Sequence, residues 1–431
     1  MYTIMDELKT PCDVNIELTT GCNHRCRYCS NFWRHEDGTK AVSMSIETLD
    51  KIIDDIIKNK VFNVVLTGGE PFVNYKALLH GVKRLTDAGV LVSCNTNLTL
   101  ATREQLQELK DAGLPHILTS LSSFDPEIND RTFTKKGAFS KVVKNIINAV
   151  DIGIKISVNT VMTKQNKDDI YKIGILVHSI GASNFFVTRL VPSESCSAEH
   201  SKEFTLEPEE CIPVLDQAIR VRDETGIHIS SLIQFPVCFL RDVEKYSDFV
   251  GRGCSAGRKM IVLSANGDAH ACLYETKNYG NVLDIGLAGI WKNIEMWRDN
   301  SLLPEECKKC KWMRWCEGGC RAAAKTISDP DFMCKGSSAE MPDPIEDYKK
   351  SLHLVNDAGI YKVRQGLRFR EESGFWLFHI VGAWITKVNP DIAQFLIDHY
   401  RKDQEFKLKD FSADKNYLAD LLTKKIVEKI G

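Results

Sequence analysis

A chain of 431 residues is longer than one hydrophobic core usually serves, so two or three domains are expected. With 56 Lys and Arg against 58 Asp and Glu, the formal net charge of -2 excludes the cationic excess of a nucleic-acid binder, and 43% apolar residues exclude a disordered chain. Apolar runs stop well short of the roughly 20 residues a bilayer span needs. The first ten residues lack an apolar signal core, so no membrane partner and a cytoplasmic location are expected.

In chain order, β-rich runs at 14–18, 62–66, 90–95, 116–121, 155–161 and 184–190 alternate with amphipathic helical patterns at 46–57, 75–88, 103–112, 139–152, 168–180 and 208–225. Six such units predict an α/β fold, a partial (β/α)6 TIM-like barrel over residues 1–233, with its site at the C-terminal ends of the strands. Over residues 234–342 the alternation stops, and Cys238 to Cys334 lie among loops that need metal cross-links to stay folded. Residues 343–431 predict a small α+β, winged-helix-like domain. It has strands at 367–370, 375–379 and 383–388, a helix at 391–400, and a last helix carrying the stripe Leu418, Leu421, Leu422, Ile426 and Ile430.

The composition outlier is cysteine, at 15. Without an export signal, clustered thiols read as metal ligands or reactive groups rather than disulfides. Cys22, Cys26 and Cys29 follow the first strand at C-x3-C-x2-C spacing. An iron-sulfur cluster held on three corners leaves one iron open, whereas a zinc ion wants a fourth ligand, for which His24 or His35 is near in sequence. Both chemistries fit the spacing alone. After the second strand comes Thr67-Gly68-Gly69-Glu70-Pro71, whose paired glycines permit close backbone approach and whose Glu70 accepts from a cationic amine.

Together these residues resemble the radical S-adenosylmethionine (SAM) superfamily, whose hallmarks are this loop, with Tyr28 before the third Cys, and a GGEP-like turn. The resemblance covers about residues 12–230. It implies a 4Fe-4S cluster on Cys22, Cys26 and Cys29 whose open iron binds SAM, and reductive cleavage of SAM to a 5'-deoxyadenosyl radical that takes a substrate hydrogen. Gly68, Gly69 and Glu70 would hold the cofactor's amine, while Asn97 of the run Asn95-Thr96-Asn97, Ser122, Asn159 and Arg189 would contact its ribose, carboxylate and adenine. Ser or Asn at a strand end is otherwise a turn former.

The later cysteines run Cys254, Gly267-x4-Cys272, Cys307-x2-Cys310-x5-Cys316-x3-Cys320 and Cys334, too many for one tetrahedral metal. Structural zincs are one reading. The pattern is similar to the SPASM extension of peptide-modifying radical enzymes. That resemblance places Cys254, Cys272 and Cys320 on auxiliary cluster I and Cys307, Cys310, Cys316 and Cys334 on auxiliary cluster II, for three 4Fe-4S clusters in all. Cluster I lacks an assured fourth ligand; Cys238 is the nearest candidate, and an open iron is the alternative. Cys12, Cys94, Cys196 and Cys211 read as small buried hydrophobes.

Enzymes of this class mostly modify peptides or proteins. The sulfatase-maturing group has an Asp directly after the Cys of G-x4-C; here Leu273 stands there, with Tyr274 and Glu275 as neighbouring candidate proton acceptors. The last domain resembles the peptide chaperone of pyrroloquinoline quinone biosynthesis, which implies a precursor-peptide substrate; a capping or dimerisation domain is the alternative. A maturase installing a crosslink, thioether or related change, fed by a reductant such as flavodoxin or ferredoxin, is the leading expectation. A formylglycine-forming sulfatase maturase and a non-catalytic zinc-stapled binding protein are the alternatives.

Overall fold

A computed structural model describes residues 8–31, 40–191, 203–251, 253–299, 301–324, 328–336, 351–381 and 385–431. His35 and Cys196 lie outside the described residues. The chain divides into two compact units, residues 10–341 and residues 342–431 together with the first nine.

The first unit alternates β1 (Asp13–Glu17), α1 (Ile46–Lys58), β2 (Asn63–Thr67), α2 (Tyr75–Asp87), β3 (Leu91–Asn95), α3 (Arg103–Asp111), β4 (His116–Ser120), α4 (Pro126–Phe133), α5 (Ala138–Ile152), β5 (Lys155–Met162), α6 (Ile170–Ser179), β6 (Asn184–Arg189), α7 (Pro208–Thr225) and β7 (His228–Ser230). Helix starts follow their capping chemistry. Ser45 accepts from the Thr48 N–H, Thr102 and Gln105 form a capping box, and Asp125 caps α4 ahead of Pro126. All six expected strands form, and a seventh, β7, pairs with β6.

The cysteine-rich segment contributes β8 (Met260–Leu263) and β9 (Ala269–His270), followed by α8 (Val282–Asn293). β8 lies parallel beside β1, so the described sheet runs β7-β6-β5-β4-β3-β2-β1-β8-β9, with only β9 antiparallel. Parallel strands are covered on both faces. Accordingly Val14, Ile16, Leu66, Ile117, Val158 and Val187 are at most 1% exposed. The registers bring the C-terminal ends of β1, β2 and β3 together at Glu17, Thr67 and Cys94, where the loops carrying the thiols and Glu70 begin.

The C-terminal unit holds two three-stranded antiparallel sheets. Its elements are β10 (Ile360–Val363), β11 (Arg368–Glu371), β12 (Trp376–His379), β13 (Thr386–Val388), α9 (Pro390–Lys402), β14 (Glu405–Lys407), α10 (Lys415–Thr423) and β15 (Val427–Lys429). Sheet orders are β14-β10-β15 and β11-β12-β13. The expected last helix stops at Thr423. Lys425 takes a left-handed φ of 57°, and the chain re-enters a sheet as β15 against β10, with Ile426 still in the core. Residues 383 and 384, the start of the expected third strand, are outside the described residues.

Candidate functional site

The loop after β1 brings Cys22, Cys26 and Cys29 close enough for each to bear electrostatically on the others, and none forms a disulfide. Burial pushes the Cys22 thiol up to about 12 and raises Cys26 well above its ordinary value, so three thiolates here need a cation. Among the described residues no three His, Cys, Asp or Glu side chains converge on a single-ion position. A 4Fe-4S cluster accepts its thiolates on separate irons, and three thiols on one loop fit three of its corners. The His24 ring, 2% exposed, stacks on Phe133 at 5.8 Å and its Nε2 lies 3.0 Å from Thr99 Oγ1.

The Gly-Gly turn is packed against this loop. A Cβ on Gly68 would stand 2.4 Å from the Thr19 carbonyl oxygen, and one on Gly69 2.3 Å from that of Gly21. Gly69 N–H donates to Thr19 O (2.7 Å) and Glu70 N–H to Gly21 O (2.8 Å). The glycines therefore seat the turn on the backbone that leads into the thiol loop. Glu70 is fully buried; its Oε1 accepts from the Phe72 N–H (3.0 Å) and Thr96 Oγ1 (2.6 Å), and its Oε2 from the Asn97 N–H (2.7 Å). A carboxylate has about four lone-pair directions, so roughly one remains for an amine. Burial pushes the Glu70 carboxyl up to about 7 against these three donors.

Asn97 continues the chain of contacts: its Nδ2 donates to Asn23 Oδ1 (2.8 Å) and, weakly, to Cys22 Sγ (3.9 Å). Tyr28 donates to Ser122 Oγ at 3.4 Å, and Asn159 Oδ1 accepts from Thr188 Oγ1 at 2.6 Å. Arg189 is held differently from the expectation of a cofactor contact. Its guanidinium is 1% exposed and paired in two-pronged fashion with Asp331, while its Nε donates to Gln234 O (3.0 Å). Burial pulls Arg189 down and the Asp331 carboxylate more than restores it. Asp331, which no motif marks, also accepts from the Cys320 N–H (2.8 Å) and the Met333 N–H (3.1 Å). It thereby joins the end of β6 to the cysteine-rich segment.

In that segment Cys254, Cys272 and Cys320 bear on one another, and burial raises all three. Beside Cys254 a cavity is lined by Arg258, Glu317 and Arg321, and the Arg321 Nη1 has no hydrogen-bond partner among the described residues. Tyr274 is buried within electrostatic reach of Cys272, Cys320 and Cys29; burial, then these thiols, raises its phenol and opposes a role as base. Glu275 accepts from the Tyr279 hydroxyl (2.9 Å) and the Ala271 N–H (3.3 Å), so its carboxylate braces the turn.

A separate cavity, partly open to solvent, is lined by Cys307, Cys310, Cys316, Cys334 and also Cys238. Cys238 as fourth ligand of auxiliary cluster I is thus corrected: the buried Val237 packs on Trp312 and Cys316 and carries Cys238 to the other group. Of the unassigned thiols, Cys12, Cys94 and Cys211 are buried.

Residues 16–174 match the Radical SAM superfamily, and residues 254–318 match SPASM, an iron-sulfur cluster-binding domain. The fold and the three-thiol loop at the strand ends define a radical SAM enzyme with a SPASM domain, binding 4Fe-4S clusters and SAM; the non-catalytic zinc reading falls away. Among particular relatives, the chain is 25% identical over 333 residues to an AdoMet-dependent heme synthase of Oleidesulfovibrio alaskensis, covering 72% of this chain and 83% of the relative. It is 26% identical over 330 residues to the PqqA peptide cyclase of Bradyrhizobium diazoefficiens, covering 74% and 83%. Streptococcus suis SuiB bound to S-adenosylmethionine shares the fold at a TM-score of 0.62 and 18% identity, over 77% of this chain and 79% of that chain, and SuiB is also solved with its precursor peptide SuiA. No helix among the described residues is long and apolar enough to cross a membrane.

Proposed function

We propose that this enzyme is a peptide maturase that removes a hydrogen atom from a residue of a ribosomally made precursor peptide and installs a crosslink, thioether or related bond. Three 4Fe-4S clusters, a flavodoxin- or ferredoxin-type reductant and a cytoplasmic setting complete the reading. When bound, the clusters supply and accept electrons and SAM supplies the hydrogen-abstracting group. The chain's own residues aim that chemistry. Glu70, fixed by Thr96 and Asn97, presents its remaining acceptor direction beside the thiol loop.

The observation that carries the reading is the buried Tyr274, within electrostatic reach of both Cys29 and the Cys272/Cys320 pair, which makes the two thiol groups neighbours. Forming a new bond after hydrogen-atom loss releases a proton and one further electron, and a second redox group beside the first suits that need. The named cyclase relative and the peptide-bound SuiB support a peptide substrate. In the C-terminal unit, β11 and β13 are the edges of a three-stranded sheet, which suits capture of an extended leader by strand addition.

The test is 5'-deoxyadenosine formation by reduced enzyme, with and without the short peptide encoded beside its gene. The reading expects acceleration and a mass change in the peptide; equal rates and an unchanged peptide contradict it. The heme synthase relative favours a second reading, tetrapyrrole chemistry, in which an iron porphyrin and not a peptide gives the acceleration.

A further inference from the structure

The cavity of the second auxiliary group is lined by five thiols, and a 4Fe-4S cluster takes four. Three of them sit close together on short local structure. Cys307 and Cys310 flank the end of the helical turn Glu305–Lys308, with the Cys310 N–H on Cys307 O (3.1 Å), and Cys316 ends the turn Met313–Cys316. Cys238 and Cys334 reach the same cavity from distant parts of the sequence.

Neither position is incidental. Val237, 1% exposed, packs against Trp312 and Cys316, and Gln234 Nε2 donates to Cys316 O (2.8 Å), which fixes the turn bearing Cys238. Cys334 is fixed from the other side: its N–H donates to Asp331 O (2.7 Å), and Asp331 is held by Arg189. With three corners answered by the local thiols Cys307, Cys310 and Cys316, Cys238 and Cys334 are the two thiols in the lining left for the fourth.

We propose that Cys238 and Cys334 are alternative fourth ligands to one iron corner of the second auxiliary cluster, Cys238 taking that corner when Cys334 is absent. The inference rests on the iron-sulfur reading of this segment. An iron lacking a thiolate is lost on mild oxidation, leaving a three-iron cluster countable by its paramagnetic resonance.

The background is full-length enzyme with Cys22→Ala, Cys26→Ala and Cys29→Ala, reconstituted without oxygen and treated with ferricyanide; spins from the first auxiliary cluster are common to every sample. Adding Cys238→Ala or Cys334→Ala alone should leave the spin count unchanged. The pair together should add about one spin per chain, as should the control Cys307→Ala. A gain with Cys334→Ala alone, a gain with Cys238→Ala alone, or a pair no different from the singles overturns the proposal. If the Ala pair fails to fold by circular dichroism, the Cys238→Ser, Cys334→Ser pair is expected to keep the fold yet alter the resonance where neither single Ser variant does; a resonance altered by one single Ser variant, or by none of the three, overturns the proposal. A background protein holding zinc and no iron would sink the iron-sulfur reading itself, and the proposal with it, by a different signature.

Discussion

A methyl group on Gly69 would meet the Gly21 carbonyl oxygen at 2.3 Å, and because both atoms belong to hydrogen-bonded backbone neither yields cheaply. Gly69→Ala is therefore predicted to displace the thiol loop and lose about four irons per chain, with the rest retained, by iron analysis of anaerobic protein. Glu70→Gln places an amide N–H₂ against the Asn97 N–H in one orientation and against the Phe72 N–H and the Thr96 hydroxyl in the other, so a backbone donor faces a donor either way. It should destabilise the unit by about 1–3 kcal/mol, read as a shift in the urea midpoint. The Glu70 carboxyl, raised by burial from 4.5 to about 7, contributes stability that is complete below pH 4.5 and lost as pH rises towards 7. Cluster-free wild type should lose stability relative to the Gln variant across that window; parallel pH profiles would contradict the burial. The sequence makes the need for close approach at Gly68 and Gly69 readable, but the approached group is the Thr19–Gly21 backbone, a long-range partner no local pattern names.

At the level of elements, six strands and their helices are legible because parallel strands buried on both faces read as apolar runs and the caps carry Ser, Thr and Asp. β7, with three residues, is too short to show a period, and β8 is a four-residue apolar run whose partner β1 lies far away in sequence. The Leu418–Ile426 stripe suits a helix and equally a helix that breaks at Lys425 into a strand. The tie between β6 and the cysteine-rich segment is equally invisible: Arg189 reads as a cofactor contact until Asp331 is seen against it. Removing one partner of a buried ion pair strands the other charge, so Arg189→Met should cost about 3–5 kcal/mol. Asp331→Asn in that background should add less than it does alone, because the pair is already broken; additive effects in a double-mutant cycle would show that the contact is not coupled.

Over the whole molecule, cysteine spacing announces more thiols than one metal site takes; in the fold Cys254, Cys272 and Cys320 come near one another, and Cys238 joins Cys307, Cys310, Cys316 and Cys334 around one cavity. Spacing orders ligands along the chain but does not say which loops meet. Cys29 and the Cys272/Cys320 pair are neighbours through the buried Tyr274, which all three reach electrostatically. The most direct test of the account is 5'-deoxyadenosine production from SAM by the reduced, reconstituted enzyme, compared with the protein lacking the thiols of Cys22, Cys26 and Cys29. Product from the former and none from the latter is predicted; no product from the intact enzyme, or equal product from both, would contradict it.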